Sequence, residues 1–233
     1  MSGKTKGTAL IVGASRGLGY ALAEDLLRRG WDVIGTVRAT GGEKLAALAQ
    51  QSNGRLRVAT CDITSDTDLV ALRKHLHGEA LDLLFINAGV SNGRGETIAG
   101  VSTDSFVRIM TTNALAPLRT LECLEDLVAK NGILAVMSSG LGSVTNNTTG
   151  GWESYRASKA ALNTLMRSFS ARHAGDTRAM VLVAPGWVRT DMGGPAATLG
   201  IEESIPLVVD TVLAQAGQPG LKFLDRFGET VPW

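Results

Sequence analysis

A tyrosine and a lysine stand four residues apart near the end of the stretch SSGLGSVTNNTTGGWESYRASK, residues 138–159. In a helix this spacing puts the side chains of Tyr155 and Lys159 one turn apart on the same face. A free phenol has a pKa of about 10 and exchanges protons poorly at neutral pH, whereas a neighbouring ammonium group favours the phenolate. The pair therefore predicts a tyrosine whose pKa is lowered by Lys159 and which works as a general acid or base.

Two serines precede this pair at the end of an apolar run, GILAVMSS, residues 132–139. In a strand, successive side chains point to opposite faces, so Ser138 and Ser139 face different sides of a sheet. Ser139 also opens the S-x-x-G sequence that turns the chain away from the strand. We therefore predict that the hydroxyl of Ser139, rather than that of Ser138, bonds a substrate carbonyl oxygen.

Asn113 is distinguished by the proline that follows it by four residues. Pro117 has no N–H, so within a helix the main-chain carbonyl of Asn113 lacks its usual hydrogen-bond partner. Beside Lys159, this carbonyl would be able to hold a water molecule that passes protons from solvent to Tyr155. A plain proline kink explains the same pattern equally well.

A glycine-rich turn, GASRGLG at residues 13–19, follows the first apolar run of the chain. Its glycines at 13, 17 and 19 depart from the GxGxxG spacing but meet the same physical demand. They let the backbone turn sharply and approach a pyrophosphate, while the next helix offers unpaired N–H groups and the positive end of its dipole. The turn predicts a dinucleotide site; a strand-to-helix turn without a ligand is the alternative.

The choice of dinucleotide is predicted from the residues after the second apolar run. An acidic residue normally accepts the ribose hydroxyls of NAD at this point, but the sequence VIGTVRATGG has Arg38 there, and Asp32 stands at the opposite end of the run. Arg16 lies within the glycine turn, near the same ribose. Two guanidinium groups suit a 2′-phosphate, so we predict that NADP(H) is preferred over NAD(H). Two solvated surface arginines are the alternative.

These residues must be positioned by the elements between them, and short apolar runs alternate with helical patterns along the chain. Near-continuous apolar strands predict a single-domain α/β fold, a Rossmann-type doubly wound parallel β-sheet with helices on both faces. The predicted strands cover residues 8–14, 31–37, 55–60, 81–89, 132–139 and 179–186, and the predicted helices cover 18–30, 43–51, 65–76, 103–130 and 155–172. A mobile substrate flap is expected at about 190–204.

Composition narrows the classes of function. A chain of 233 residues with 44% hydrophobic residues suits one large domain, and a net charge of +1 predicts neither a nucleic-acid partner nor a membrane partner. Cys61 and Cys123 form no CxxC pair, and His75 and His77 face different sides of a helix, so no metal site is predicted. With neither a signal-peptide pattern nor an apolar run of about 20 residues, we expect a soluble, cytoplasmic protein.

Seven motifs together resemble those of a classical short-chain dehydrogenase/reductase, over nearly the whole chain. They are GASRGLG, CDIT at 61–64, NAG at 87–89, Asn113, Ser139, YRASK and PGWVRT at 185–190. Within that family, the stretches MSSGLGSVTNNTTGGWESYRASKAALN and PGWVRTDMGG and the ending DRFGETVPW are similar to the C-factor and sniffer-type carbonyl reductases.

The resemblance implies a role for each matching position. Tyr155 would be the acid/base, Lys159 would bind the nicotinamide ribose and lower the pKa of the tyrosine, Ser139 would orient the carbonyl, and Asn113 would hold a relay water. The cofactor would be bound by Gly13, Ser15, Arg16, Gly17, Leu18, Gly19, Arg38, Asp62, Ile63, Asn87, Ala88, Gly89, Tyr155, Lys159, Pro185, Gly186, Val188 and Thr190.

The resemblance also implies an activity: the NADPH-dependent reduction of a small-molecule carbonyl compound to an alcohol. It implies a homodimer or homotetramer that pairs through the predicted helices at 103–130 and 155–172. A second hypothesis is a signalling or regulatory protein, similar to C-factor, that uses the fold as a nucleotide-binding module. The Ser, Tyr, Lys and Asn set argues against this hypothesis, because a pure binder needs no proton relay.

The sequence departs from many members of the family between Ser139 and Tyr155. The separation of 16 residues is longer than usual, and GSVTNNTTGG at 142–151 is expected to form an added loop at the mouth of the site. Trp152 and Trp187 flank the expected substrate opening. Stacking on a ligand and simple packing are equally open for these two rings. The substrate itself is not identified by the sequence.

Overall fold

Short apolar runs bounded by glycine or polar residues form the strands of a parallel sheet in a computed structural model, which describes residues 6–93 and 95–233. Residues 1–5, part of the N-terminal stretch without a signal-peptide pattern, lie outside the described ranges. The strands are β1 Thr8–Val12, β2 Asp32–Val37, β3 Leu56–Thr60, β4 Leu81–Ile86, β5 Val128–Met137, β6 Ala179–Ala184 and β7 Gly220–Asp225. Their order in the sheet is β3-β2-β1-β4-β5-β6-β7, and every neighbouring pair is parallel.

Helices cover both faces of this sheet. They are α1 Gly17–Arg28, α2 Glu43–Gln51, α3 Asp66–His75, α4 Thr103–Met110, α5 Ala116–Leu124, α6 Glu153–Arg172 and α7 Ile201–Leu213. Apolar residues of α1, α2 and α7 join the hydrophobic cluster on one face, and those of α3, α5 and α6 join the cluster on the other. The predicted fold class, a doubly wound parallel sheet covered on both faces, is confirmed.

The burial of both faces explains why the strands read as continuous apolar runs. In β1, Leu10 and Val12 point into one hydrophobic cluster, whereas Ala9 and Ile11 point into the other. Because successive side chains alternate between the faces, every position of such a strand must be apolar. All four residues are fully buried.

The prediction of one helix over 103–130 is wrong at its C-terminal end, and the observed helix is irregular in its middle. A wide π-helical turn, Thr111–Leu115, separates α4 from α5. Pro117 cannot donate a main-chain hydrogen bond, and the helix widens just before it. Helix α5 ends at Leu124, a short 3₁₀ turn follows, and β5 already begins at Val128. The apolar residues near 124–128 continue the helical pattern, which is why the sequence overextends the helix.

The last part of the chain holds two elements that the sequence analysis missed, helix α7 and strand β7. Helix α7 begins at Ile201, so the last four residues of the predicted flap are helical. The preceding segment folds back on itself, because Leu199 donates its main-chain N–H to the carbonyl of Trp187 at 3.1 Å. No helix within the described residues has both the length and the apolarity needed to cross a membrane.

The order of the strands determines where a ligand can bind. Strand β1 lies between β2 and β4, and the chain crosses over from β3 to β4, so the strand order reverses beside β1. The connections that leave the carboxyl ends of β1 and β4 diverge at this point and leave a crevice between them. The glycine turn after β1 and the sequence Asn87-Ala88-Gly89 after β4 therefore meet at one edge of the sheet.

Candidate active site

A cleft of about 900 Å³ lies at the carboxyl edge of the sheet, where the predicted residues collect. Every predicted site residue except two lines its wall; the exceptions are Gly19, which packs against Gly13 and Asn87, and Asn113, which is hydrogen-bonded to Val90. The predicted residues in the wall are Gly13, Ser15, Arg16, Gly17, Leu18, Arg38, Asp62, Ile63, Asn87, Ala88, Gly89, Ser139, Tyr155, Lys159, Pro185, Gly186, Val188 and Thr190.

The glycine turn is packed too tightly for side chains at two of its positions. A methyl group on Gly13, whose φ is +88°, would come within 2.9 Å of Ala88. A methyl group on Gly19 would lie 2.0 Å from the carbonyl oxygen of Gly13. That same oxygen accepts a hydrogen bond from Nδ2 of Asn87 at 2.9 Å, which ties the turn after β1 to the end of β4.

The start of α1 fits a pyrophosphate. The helix begins at Gly17 inside the turn, its first turn carries no acidic residue, and no side chain in the described ranges caps its first amides. Uncapped amides at a helix N-terminus bind anions, and the glycines at 13 and 17, which have no side chain, allow close approach. The residues present therefore suit the phosphates of a dinucleotide.

The two arginines expected at a 2′-phosphate differ in their surroundings. Arg38 follows β2 directly and is exposed at the edge of the cleft. The Arg16 guanidinium instead forms an ion pair with Asp191, 2.9 Å between Nη1 and Oδ2. The carboxylate of Asp191 therefore competes with a phosphate for Arg16. Asp62 accepts hydrogen bonds from the hydroxyl and the amide of Thr64, and these bonds lower the pKa of its carboxyl, with a smaller contribution from Arg38.

Tyr155 and Ser139 are brought together by α6 and the end of β5. Tyr155 is the third residue of α6, and Ser139 lies two residues beyond β5. Their side chains are hydrogen-bonded, which acts to lower the pKa of Tyr155, but burial acts more strongly and raises it to about 12. Ser138 is directed elsewhere, since its Oγ donates to Oδ1 of Asn163 at 2.7 Å.

Lys159 reaches the same corner from one turn further along α6. Its ammonium donates to the carbonyl of Met137 at 2.9 Å and lies 5.9 Å from the centre of the Tyr155 ring. Burial lowers the pKa of Lys159 to about 8. The prediction that Lys159 lowers the pKa of Tyr155 is wrong for this structure. Burial disfavours the charged form of each group, so the pKa of Tyr155 rises instead.

Asn113 completes the group from the π-helical turn. Its Oδ1 accepts from the amide of Val90 at 2.8 Å, and its Nδ2 donates to the carbonyl of Val90 at 2.8 Å and to Oγ of Ser158 at 2.9 Å. A methyl group on Gly89 would lie 3.3 Å from this Oδ1 and 3.7 Å from Nζ of Lys159. Asn113 and Lys159 therefore both lie next to Gly89, and hydrogen bonds to Val90 and Ser158 fix the asparagine side chain.

A layer of buried polar residues behind the cleft was missed by the sequence analysis. Ser158 donates its Oγ to the carbonyl of Tyr155 at 2.7 Å, and Asn163 donates its Nδ2 to the carbonyl of Gly142 at 3.2 Å. Asn163 follows Lys159 by four residues on α6. A polar residue repeated at this spacing on an otherwise apolar helix face is the signal that could have found it.

One group of potential metal ligands lies within the described ranges, outside the cleft. Side-chain atoms of Glu125, His173 and Asp176 lie within 4.8 Å of one another. Arg178 forms ion pairs with both carboxylates, so the cluster is explained as a charge network. His75 and His77 are both exposed, as the sequence indicates.

Comparison with known proteins matches the chain to one family model and to several similar proteins. A model of the family described as short chain dehydrogenase matches residues 7–198. The curated protein C-signal of Myxococcus xanthus is 37% identical over 155 residues, which cover 66% of this chain and 93% of C-signal.

Solved structures match over almost the whole chain. A short-chain dehydrogenase/reductase from Burkholderia multivorans with bound NADP is 53% identical, with a TM-score of 0.93, and the match covers 97% of this chain and 99% of that one. A carbonyl reductase from Pseudomonas aeruginosa in complex with NADP is 36% identical, with a TM-score of 0.89 over the same shares. The carbonyl reductase Sniffer of D. melanogaster is 26% identical, with a TM-score of 0.84, covering 99% of this chain and 100% of Sniffer.

Gly19→Ala should weaken dinucleotide binding at least about 10-fold, because the new methyl group would break the hydrogen bond between Asn87 and Gly13 and displace the turn. Titration followed by the fluorescence of the reduced dinucleotide measures this change. Gly95→Ala is the control, since among the described residues no atom beyond its chain neighbours lies within 4 Å of its added methyl group, and Gly95 is not among the residues of the cleft wall. Equal affinities for the two variants would contradict the prediction.

Proposed function

The chain belongs to the short-chain dehydrogenase/reductase family, and from this premise we propose that it reduces a ketone or aldehyde to an alcohol with NADP(H), with Tyr155 as the general acid/base. The observation that carries the proposal is the convergence of Ser139, Tyr155 and Lys159 at one end of a cleft whose other end fits a dinucleotide. The similarity of the chain to C-factor and sniffer-type proteins agrees with the resemblance of its motifs.

The roles of the residues follow from the chemistry of carbonyl reduction. A bound NADPH would supply a hydride to the carbonyl carbon. The hydroxyl of Ser139 would hold the carbonyl oxygen, and Tyr155 would donate its proton to that oxygen as negative charge develops there. A tyrosine with a pKa of about 12 keeps its proton at neutral pH, as a donor must. Lys159 would return a proton to the tyrosine, and a water molecule held by the carbonyl of Asn113 would connect Lys159 to solvent.

Successive groups of residues in the cleft wall, each following a different strand, would contact successive parts of NADP(H). Gly13, Ser15, Arg16, Gly17 and Leu18 would surround the phosphates and the adenosine ribose, Asp62 and Ile63 the adenine, and Asn87, Ala88 and Gly89 the central ribose. Pro185, Gly186, Val188 and Thr190 would lie against the nicotinamide. Gly19 would act indirectly, by allowing Asn87 to hold the turn.

We propose a preference for NADP(H) over NAD(H) on the basis of Arg38. This arginine stands where an acidic residue would bind the ribose hydroxyls of NAD, and it is exposed at the cleft edge. A 2′-phosphate there would gain a charge-assisted bond that NAD cannot offer. The bound NADP in the Burkholderia and Pseudomonas structures supports NADP as the cofactor.

A signalling or regulatory protein that only binds a nucleotide is the second candidate, and the similarity to C-signal is the observation that favours it. A buried lysine is a costly feature for a protein that carries out no proton transfer. The enzyme is therefore the better-supported proposal, and a variant of Tyr155 separates the two.

We propose that the chain forms a homodimer or homotetramer through α5 and α6, the helices implied by its family resemblance. Leu115, the last residue of the π-helical turn before α5, and Leu165 on α6 are 41% and 39% exposed, and both line a surface depression together with Leu118 and Cys123. Exposed apolar side chains that share a depression are typical of a surface that another chain covers.

A cytoplasmic location is proposed from the cysteines. Cys61 and Cys123 are both free thiols, which suits a reducing compartment. The substrate is proposed to be a small molecule, and neither nucleic acid nor membrane is expected as a partner, given the net charge of +1.

Tyr155→Phe should lower the rate of NADPH oxidation with ketones, aldehydes or quinones about 10²- to 10⁴-fold, because it removes the proton donor. The affinity for NADPH should stay within about 2-fold, since the aromatic ring remains and only one hydroxyl is lost. Tyr20→Phe, a change at the other tyrosine of the chain, is the matched control. A biological activity that survives in Tyr155→Phe would support the second candidate.

Carbonyl reduction should slow as the pH rises through about 8, because burial lowers the pKa of Lys159 to about 8 and the lysine loses its proton above that value. Tyr155 keeps its proton over the same range, so the lysine alone causes the decrease. The profile of kcat/KM between about pH 6 and pH 10 measures the effect. A flat profile would rule it out.

Arg38→Asp should reduce the ratio of kcat/KM for NADPH to that for NADH about 10- to 100-fold, through loss of the charge-assisted bond and gain of repulsion. Lys44→Asp makes a similar change of charge on α2, outside the cleft wall, and controls for long-range electrostatics. An unchanged ratio in Arg38→Asp would refute the proposed preference.

A further inference from the structure

The turn that leads into α6 has an unusual backbone. Gly150, Gly151 and Trp152 follow one another with φ values of +63°, +69° and +56°. The left-handed region is natural for the two glycines but uncommon for a bulky residue such as tryptophan. A tryptophan holds this conformation only where surrounding contacts enforce it.

Arg156 supplies those contacts. Its side chain is buried, and its guanidinium donates through Nε to the carbonyl of Gly151 at 3.0 Å and through Nη2 to the carbonyl of Gly150 at 3.2 Å. The same Nη2 lies 3.4 Å from the hydroxyl of Thr149. Within the described residues, no carboxylate forms an ion pair with Arg156. The buried cation is therefore compensated by the main-chain carbonyls of the turn.

The turn places the Trp152 ring beside Tyr155. The two ring centres are 6.1 Å apart with an angle of 60° between the planes, an edge-to-face contact. Trp152 is partly exposed and lines the cleft. Trp187 approaches the cleft from the segment after β6, and its Nε1 donates to the carbonyl of Gly193 at 3.0 Å, while its side chain stays 39% exposed.

We propose that Arg156 is a positioning residue that holds Trp152 as the substrate wall beside Tyr155, and that the site takes carbonyl compounds whose C=O is carried on a flat ring system. The inference rests on the proposed carbonyl reduction. Flat rings gain contact with an indole that is fixed in place, because the contact costs no further ordering of the side chain. A flexible alkyl ketone has no comparable face to offer.

The test uses two ketones of similar mass, 2-acetylnaphthalene and 2-undecanone, with NADPH. Arg156→Met should raise KM for 2-acetylnaphthalene about 3- to 10-fold with kcat within about 2-fold, and should change KM for 2-undecanone by less than about 2-fold. Trp152→Ala should have the same effect, and Trp152→Phe, which keeps a ring, should retain most of the affinity. In the Trp152→Ala background, Arg156→Met should add no further rise, because both changes remove one interaction.

A readout without turnover tests the positioning directly. Arg156→Met should increase the quenching of tryptophan fluorescence by acrylamide, and this increase should disappear when Trp152 is replaced by Phe. Arg28→Met, which changes an exposed arginine on α1, is the control. If Arg156→Met does not fold, Arg156→Lys loses the forked contact to both carbonyls, and Gly150→Ala strains the same turn without replacing the arginine. Both should shift KM and quenching in the same direction.

The outcomes separate the two levels of the proposal. Equal rises of KM for both ketones, or a loss of kcat alone, would overturn the role of Arg156 in positioning the ring. Turnover of 2-undecanone without turnover of 2-acetylnaphthalene would overturn the substrate class. If none of the carbonyl compounds tested is reduced by the wild-type protein with NADPH, the proposed function fails. The quenching measurement then still decides whether Arg156 holds Trp152.

Discussion

The buried ammonium of Lys159 is the interaction on which the arrangement of the candidate site depends. It donates to the carbonyl of Met137, the last residue of β5, and so ties α6 to the carboxyl edge of the sheet. The tie brings Tyr155, one turn earlier on α6, to Ser139 beyond the strand end. A buried cation needs such a partner, because an unpaired one would cost far more than the hydrogen bond returns.

The regular sheet forms the cleft, whereas irregular turns of the backbone orient the side chains that line it. The parallel sheet and the reversal of its strand order open a cleft, but the side chains at that cleft are aimed by departures from regularity. The π-helical turn before Pro117 carries Asn113, whose amide holds Val90. The left-handed turn before α6 carries Trp152, which Arg156 holds through main-chain carbonyls. In both places the backbone departs from regular helix, and hydrogen bonds from a polar side chain stabilise the irregular conformation.

Burial determines the charge state of the site as much as the neighbouring charges do. The ammonium next to the phenol was expected to lower the pKa of Tyr155, yet burial raises it, while burial also lowers the pKa of Lys159. Both shifts favour neutral groups, and a protonated phenol is the form that can donate to a carbonyl oxygen. Burial thus keeps the phenol protonated at neutral pH, although it makes the phenol a weaker acid, and it leaves Lys159 protonated mainly below a pKa of about 8.

Local patterns in the sequence determined the parallel α/β fold, the glycine turn and the pairing of Tyr155 with Lys159. Each depends on neighbours a few residues apart, through alternation in strands, helical spacing and the absence of a side chain at glycine. Only the tertiary structure decided the shifts in pKa, the partner of Arg16, which lies 175 residues away at Asp191, and the end of the helix before β5. These features arise from burial and from contacts between distant segments, and such contacts leave no periodic pattern along the chain.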